Sequence, residues 1–137
     1  WRAFPPRLPE QPIFYPVLNQ GYAEEIAGKW NPDDPNSGFA GIVTVFDVRD
    51  EVAGRYERKV VGGKQHEELW VPAEEQRELE AAFTPPIRPI VAFVGDRIRR
   101  ALPSYEGPHG RLEHDGLASF VSAVESGPLV GGPQTQA

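Results

Sequence analysis

Cysteine and methionine are both absent from the 137 residues. Without thiols there is no disulfide frame, no zinc–thiolate centre and no cysteine nucleophile. Without a methionine, even at position one, the expectation is a chain that is processed, cut from a longer protein or lacking its natural beginning. No apolar run approaches the roughly 20 residues that carry a helix across a bilayer. The opening Trp1-Arg2-Ala3-Phe4-Pro5-Pro6 has no apolar stretch of the signal-peptide kind. An intracellular, cytoplasmic protein with no membrane partner is the default expectation. Positive charge is also scarce: 14 Lys and Arg stand against 20 Asp and Glu, for a net charge of −6. That balance argues against a general nucleic-acid surface, which needs clustered cations. It leaves room for a local basic spot serving one phosphate-bearing ligand.

What is abundant is proline and glycine, 15 and 14 residues, weighted toward the two ends. Hydrophobic residues are 39% of the chain, a modest share that still suffices for one core. Prolines 5, 6, 9 and 12 exclude helix and central strand from the first dozen residues, with Phe4 and Leu8 as anchors. Ile13 to Leu18 reads as a short strand that Pro16 pushes to an edge. Asn19 is a suitable N-cap for a helix from Gln20 to Trp30, with Tyr22, Ile26 and Trp30 as its apolar stripe. A Pro-, Asp- and Asn-rich loop follows. Residues 39–48 are apolar on both alternating faces, which predicts a central strand.

Residues 57–61 and 64–71 pair as a hairpin around Gly62-Gly63. A Glu-rich helix is expected from Ala73 to Phe83, stopped by Thr84-Pro85-Pro86. A last strand follows over Ile87 to Val94, then a short helix with Ile98 and Leu102 inward. The order gives an α+β domain over residues 1–102, with one small, mixed, mostly antiparallel sheet and two or three helices. Residues 103–137 read as a Gly/Pro-rich, largely disordered tail, in which Leu117, Phe120, Val121 and Val124 offer an amphipathic turn or two.

The hairpin carries the most chemistry. Strand alternation puts His66, Glu68 and Trp70 on one face, and Glu67, Leu69 and Val71 on the other. A carboxylate between an imidazole and an indole can hold a ribose hydroxyl or stabilise a developing cation. It can equally be a solvated face with Trp70 covering a helix. Tyr15 can stack on a flat ligand or be half buried at an edge. Arg2 and Arg7 can grip phosphate bidentately or serve solubility alone. His109 and His114 lack a third strong ligand, so no metal is expected.

Phe4-Pro5-Pro6-Arg7-Leu8-Pro9-Glu10-Gln11-Pro12-Ile13-Phe14-Tyr15-Pro16-Val17-Leu18-Asn19 resembles a segment of bacterial proteins labelled "ADP-ribosylation/crystallin". Tyr22-Ala23, Ile26-Ala27, Trp30-Asn31, Val61-Gly62-Gly63 and His66-Glu67-Glu68-Leu69-Trp70-Val71-Pro72 continue that similarity, over about residues 1–94. Glu68-Leu69-Trp70-Val71-Pro72 is also similar to the glutamate strand of the wider ADP-ribosyltransferase fold. The resemblance implies that fold and NAD as substrate. It implies Glu68 as the acid that stabilises an oxocarbenium-like ribose, with Tyr15 on the nicotinamide side. His66 would stand where the acceptor is chosen. It further implies cofactor contacts from Arg7, Arg2, Tyr15 and Trp70. Members of the family begin with a strand bearing a Tyr-Arg pair, so the expectation is a domain missing its first strand. The sheet edge thereby exposed would be open to a second copy. A non-catalytic interaction domain of the same fold is the alternative.

Overall fold

The computed structural model describes residues 1, 4, 9–63 and 66–126. They form a small α+β protein with two antiparallel three-stranded sheets and five α-helices. The strands are β1 (Ile13–Phe14), β2 (Ala40–Val48), β3 (Glu57–Val60), β4 (Glu67–Pro72), β5 (Phe83–Val94) and β6 (Gly110–Leu112). The helices are α1 (Gln20–Lys29), α2 (Asp50–Ala53), α3 (Gln76–Glu80), α4 (Ile98–Ala101) and α5 (His114–Ser126). One sheet runs β1-β4-β3 and the other β2-β5-β6. The single mixed sheet expected from the sequence is thus two sheets, and every pairing among the described residues is antiparallel.

The helix expected after Asn19 forms there. The Asn19 side chain accepts from the Tyr22 N–H at 2.7 Å and caps it. Its buried face is Tyr22, Ala23 and Ala27, not the stripe ending at Trp30, which is 57% exposed. The reason is the closeness of α1 to β2: a Cβ on Gly41 would lie 2.2 Å from the Ala27 carbonyl oxygen. Only small residues allow that approach, so the alanine face turns inward. Ala23 and Ala27 meet Val43 and Val91 there.

β2 was expected in the centre of a sheet but lies at the end of its sheet, hydrogen-bonded to β5 alone among the described strands. Its two apolar faces are explained by cover rather than by strand neighbours. Val43 packs under α1, while Ala40 and Ile42 face the cluster built by α4, β6 and α5.

β5 starts at Phe83, so the expected helix stops early, at Glu80, and the proline pair lies inside the strand. The β2–β5 register slips between Val43 and Thr44 and again between Val45 and Asp47. Val45 faces Arg88 whereas Asp47 faces Thr84, so the proline pair falls in the slipped segment, where no ladder N–H is demanded of it.

Residues 103–126 are not a tail. Leu112 on β6 and Leu117, Phe120 and Val124 on α5 are buried with Ala92, Ile98, Leu102 and Tyr105. The Tyr105 and Phe120 rings meet edge to face, 5.2 Å apart at 80°. The core therefore crosses the boundary expected at residue 102. Residues 127–137 lie outside the described residues.

A third cluster fills the space between the two sheets. Phe14, Leu69 and Val71 of the first sheet meet Phe83 and Ile87 of the second, with Phe4, Val52 and Leu79 around them. Phe4 anchors the proline-rich arm as expected, at 4% exposure, and its N–H donates to Glu80 Oε2 at 2.9 Å. Leu8, the other expected anchor, is outside the described residues.

Candidate functional site

β4 is the central strand of its sheet and carries the chemistry. Leu69 and Val71 point into the inter-sheet core, so strand geometry turns Glu68 and Trp70 to the opposite face. The hairpin to β3 is wider than a two-residue Gly62-Gly63 turn. Val60 faces Glu67, the Val61 N–H donates to the His66 carbonyl at 2.8 Å, and the His66 N–H donates to the Gly63 carbonyl at 3.0 Å. A tight type I′ turn needs positive φ at both central residues. Here Gly62 has φ +84° and Gly63 is not in that region. The resulting shift of register is two residues, which leaves the faces unchanged. Lys59, not Glu57 as a tight turn would have it, is the residue facing Glu68 across the strands.

Glu68 is 6% exposed and accepts a hydrogen bond at each oxygen. The Tyr22 hydroxyl donates to Oε2 at 2.5 Å, and the Trp70 indole Nε1–H donates to Oε1 at 3.0 Å. A buried carboxylate needs such donors, since desolvation without them is costly. The Val17–Glu68 bridge and two flanking bonds fix the backbone: the Leu18 N–H donates to the Glu67 carbonyl and the Leu69 N–H to the Pro16 carbonyl.

Burial is the main cause that raises the Tyr22 phenol above its ordinary range. The Glu68 hydrogen bond and charge come next, followed by Tyr15 and Glu25. Tyr22 therefore keeps its proton and donates at neutral pH. His66 stacks on the Tyr22 ring, with centroids 4.4 Å apart and planes at 15°. Its Nε2 lies 2.9 Å from Glu25 Oε2. Glu25 is held below the usual carboxylate range, first by its hydrogen bond from Lys29 and then by that from His66. Lys59 sits over the Trp70 indole, Nζ 4.1 Å from the ring centroid, a cation–π placement on the same face as Glu68.

The expected face of His66, Glu68 and Trp70 is thus assembled, and Tyr15 is half-buried just after β1. Glu67 falls on the other face, 3.8 Å from Arg58. Arg2 and Arg7 lie outside the described residues. Three partners escaped the sequence reading. Tyr22 and Glu25 reach the site across the fold from α1, and no local signal marks that contact. Lys59 was legible in principle by counting across the hairpin, but only with the correct turn length. Compared with known families, with curated proteins and with solved structures, the chain matches none.

In chemical terms the site offers a buried carboxylate, a protonated phenol, an imidazole tethered to a second carboxylate, and a lysine amine over an indole. Glu68 itself lines neither the cavity beside Leu69 and α1 nor the groove along α5.

Proposed function

We propose that this is an NAD-dependent ADP-ribosyl-transfer site on a domain of ADP-ribosyltransferase type, with Glu68 as the acid of the reaction. The observation that carries the reading is the Glu68 carboxylate. It sits on a central strand, accepts from two neutral donors, and has Tyr22, His66, Trp70 and Lys59 around it. The resemblance of Glu68-Leu69-Trp70-Val71-Pro72 to the glutamate strand of that fold singles out the same residue.

The chemistry follows from that arrangement. The bond between ribose C1′ and the nicotinamide nitrogen breaks, and its electron pair leaves on the nitrogen. The ribose is left oxocarbenium-like, and an anion fixed nearby lowers the cost of that state. An acceptor nucleophile then bonds C1′ and gives up its proton. His66, bound to Glu25, is the base beside the site. Glu68 can take a ribose hydroxyl by exchanging one donor for another, O–H for the Tyr22 O–H or the Trp70 N–H. The half-buried Trp70 side is the side of approach. Lys59, 37% exposed and 3.8 Å from the exposed Glu57 carboxylate, would exchange that partner for the pyrophosphate on that side.

A second reading has its own observation. Both Glu68 oxygens are already satisfied and the side chain is nearly closed off, which suits a carboxylate that simply locks α1 onto β4 in a non-catalytic interaction domain. Calorimetric titration with NAD separates the two. Saturable binding that weakens in Lys59→Gln is expected for the transfer site. Silence at millimolar NAD, with the wild-type protein folded, refutes it and leaves the structural reading.

A further inference from the structure

A cavity of about 330 Å³ lies behind the Glu68 strand, on the Leu69 side of β4. Its floor is buried apolar surface, Val43, Leu69 and Leu79, and its mouth is marked by the exposed Leu18 and Gln20. Protein interiors seldom leave voids larger than one water, whose share of liquid is roughly 30 Å³. This space is several times that size. The register slips of β2 against β5 coincide with it, since Val43, Thr44, Val45 and Phe46 all line it. It is therefore built into the strand pairing rather than left by one short side chain.

None of the residues that line it carries an ionisable side chain. No side chain in the wall can pair with a phosphate, a carboxylate or an ammonium group, and its polar groups, Asn19, Gln20 and Thr44, are few among apolar neighbours, so an uncharged occupant fits it best. The volume is also at the lower end of the roughly 300–1,000 Å³ of small-molecule sites. A dinucleotide is both too charged and too large for it. We infer that this cavity binds a small uncharged apolar molecule, an aromatic ring or a short alkyl chain, at a site separate from the Glu68 face. Its position couples it to that face. Val17 lines the cavity and bridges to Glu68 through the backbone. Asn19, also in the wall, caps the helix that delivers Tyr22 to Glu68. An occupant that moves the Pro16–Asn19 strap moves both.

The inference stands whether or not NAD is the substrate. Methyl-resolved NMR titration of the whole chain with toluene, with hexanol and with NAD tests it. Toluene or hexanol should shift the Val17, Val43, Leu69 and Ile90 methyls saturably, and NAD should not compete with either probe for that site. Ala53→Leu fills the cavity from α2 and should weaken toluene and hexanol binding at least tenfold. If Ala53→Leu does not fold, Val48→Phe fills it from β2 with the same expected loss. Absence of saturation with both probes overturns the inference. So does binding unchanged in a folded filled variant, or shifts confined to surface residues.

Discussion

Tyr22→Phe removes one oxygen and leaves everything else in place, which makes it a sharp probe of the Glu68 site. The lost contact is a hydroxyl donating at 2.5 Å to a carboxylate that is only 6% exposed. Hydrogen bonds to buried charged groups contribute roughly 1.5–3 kcal/mol. Little water can replace the hydroxyl, and the Trp70 indole continues to serve only the other oxygen. A loss of about 2 kcal/mol is expected, which for a chain of this length lowers Tm by about 7 °C. The ring stays, so its stack on His66 is kept and contributes no difference. Urea unfolding of wild type, Tyr22→Phe, Glu68→Gln and the double variant reads the effect as a cycle. The double variant should be more stable than the sum of the single losses implies, with a coupling of about 1–2 kcal/mol. A loss below about 0.5 kcal/mol for Tyr22→Phe, or additive losses, would refute a buried phenol–carboxylate bond.

The remaining expectations concern pH, close packing and the C-terminal elements. The folded Tyr22 phenol holds its proton to higher pH than an unfolded one, so its stabilisation is complete below about pH 10 and is lost as pH rises above it. Tyr22→Phe should lessen the alkaline loss, measured as urea midpoint against pH, leaving the part that the raised Tyr56 and Tyr105 phenols contribute. Glu25 is shifted the other way, so its contribution is present above the ordinary carboxylate range and fades as pH falls through its lowered value. The His66 ring resonances should report loss of the Glu25 contact in that acid range, and unchanged resonances down to pH 2 would speak against the pair. Gly41→Ala puts a methyl 2.2 Å from the Ala27 carbonyl oxygen, a backbone atom, and should cost at least about 2 kcal/mol in chemical denaturation. Phe120→Ala opens a cavity at a fully buried position and should cost about 3–5 kcal/mol, whereas a loose tail would register almost nothing.

Local rules carried the reading where chemistry is local. Asn19 as a cap, the start of α1, the run of β2 and the inward Ile98 and Leu102 were all legible from neighbours in sequence. Strand alternation alone separated Glu68 from Glu67 correctly. The failures came where distant contacts decide. The proline pair read as a stop because nothing in the sequence announces the register slip that accommodates it. Trp30 read as core because the closeness of Ala27 to Gly41 is a tertiary fact. Residues 103–126 read as tail because their apolar positions are sparse and interrupted by Gly and Pro. Each is buried only because Ala40, Ile42 and Ala92 provide a surface for it. At the site, the strand residues were legible and their α1 partners were not, since Tyr22 meets Glu68 across 46 positions of sequence.

Release of nicotinamide from NAD, compared between wild type and Glu68→Gln, bears most directly on the role assigned to Glu68. The wild-type chain should release nicotinamide, by transfer or by hydrolysis. The variant, shown to be folded by circular dichroism, should lose at least about 100-fold of that rate, the scale expected when a preorganised charge-stabilising group is removed. Turnover that survives in the variant, or a folded wild-type chain that leaves NAD intact and unbound, would contradict the assignment.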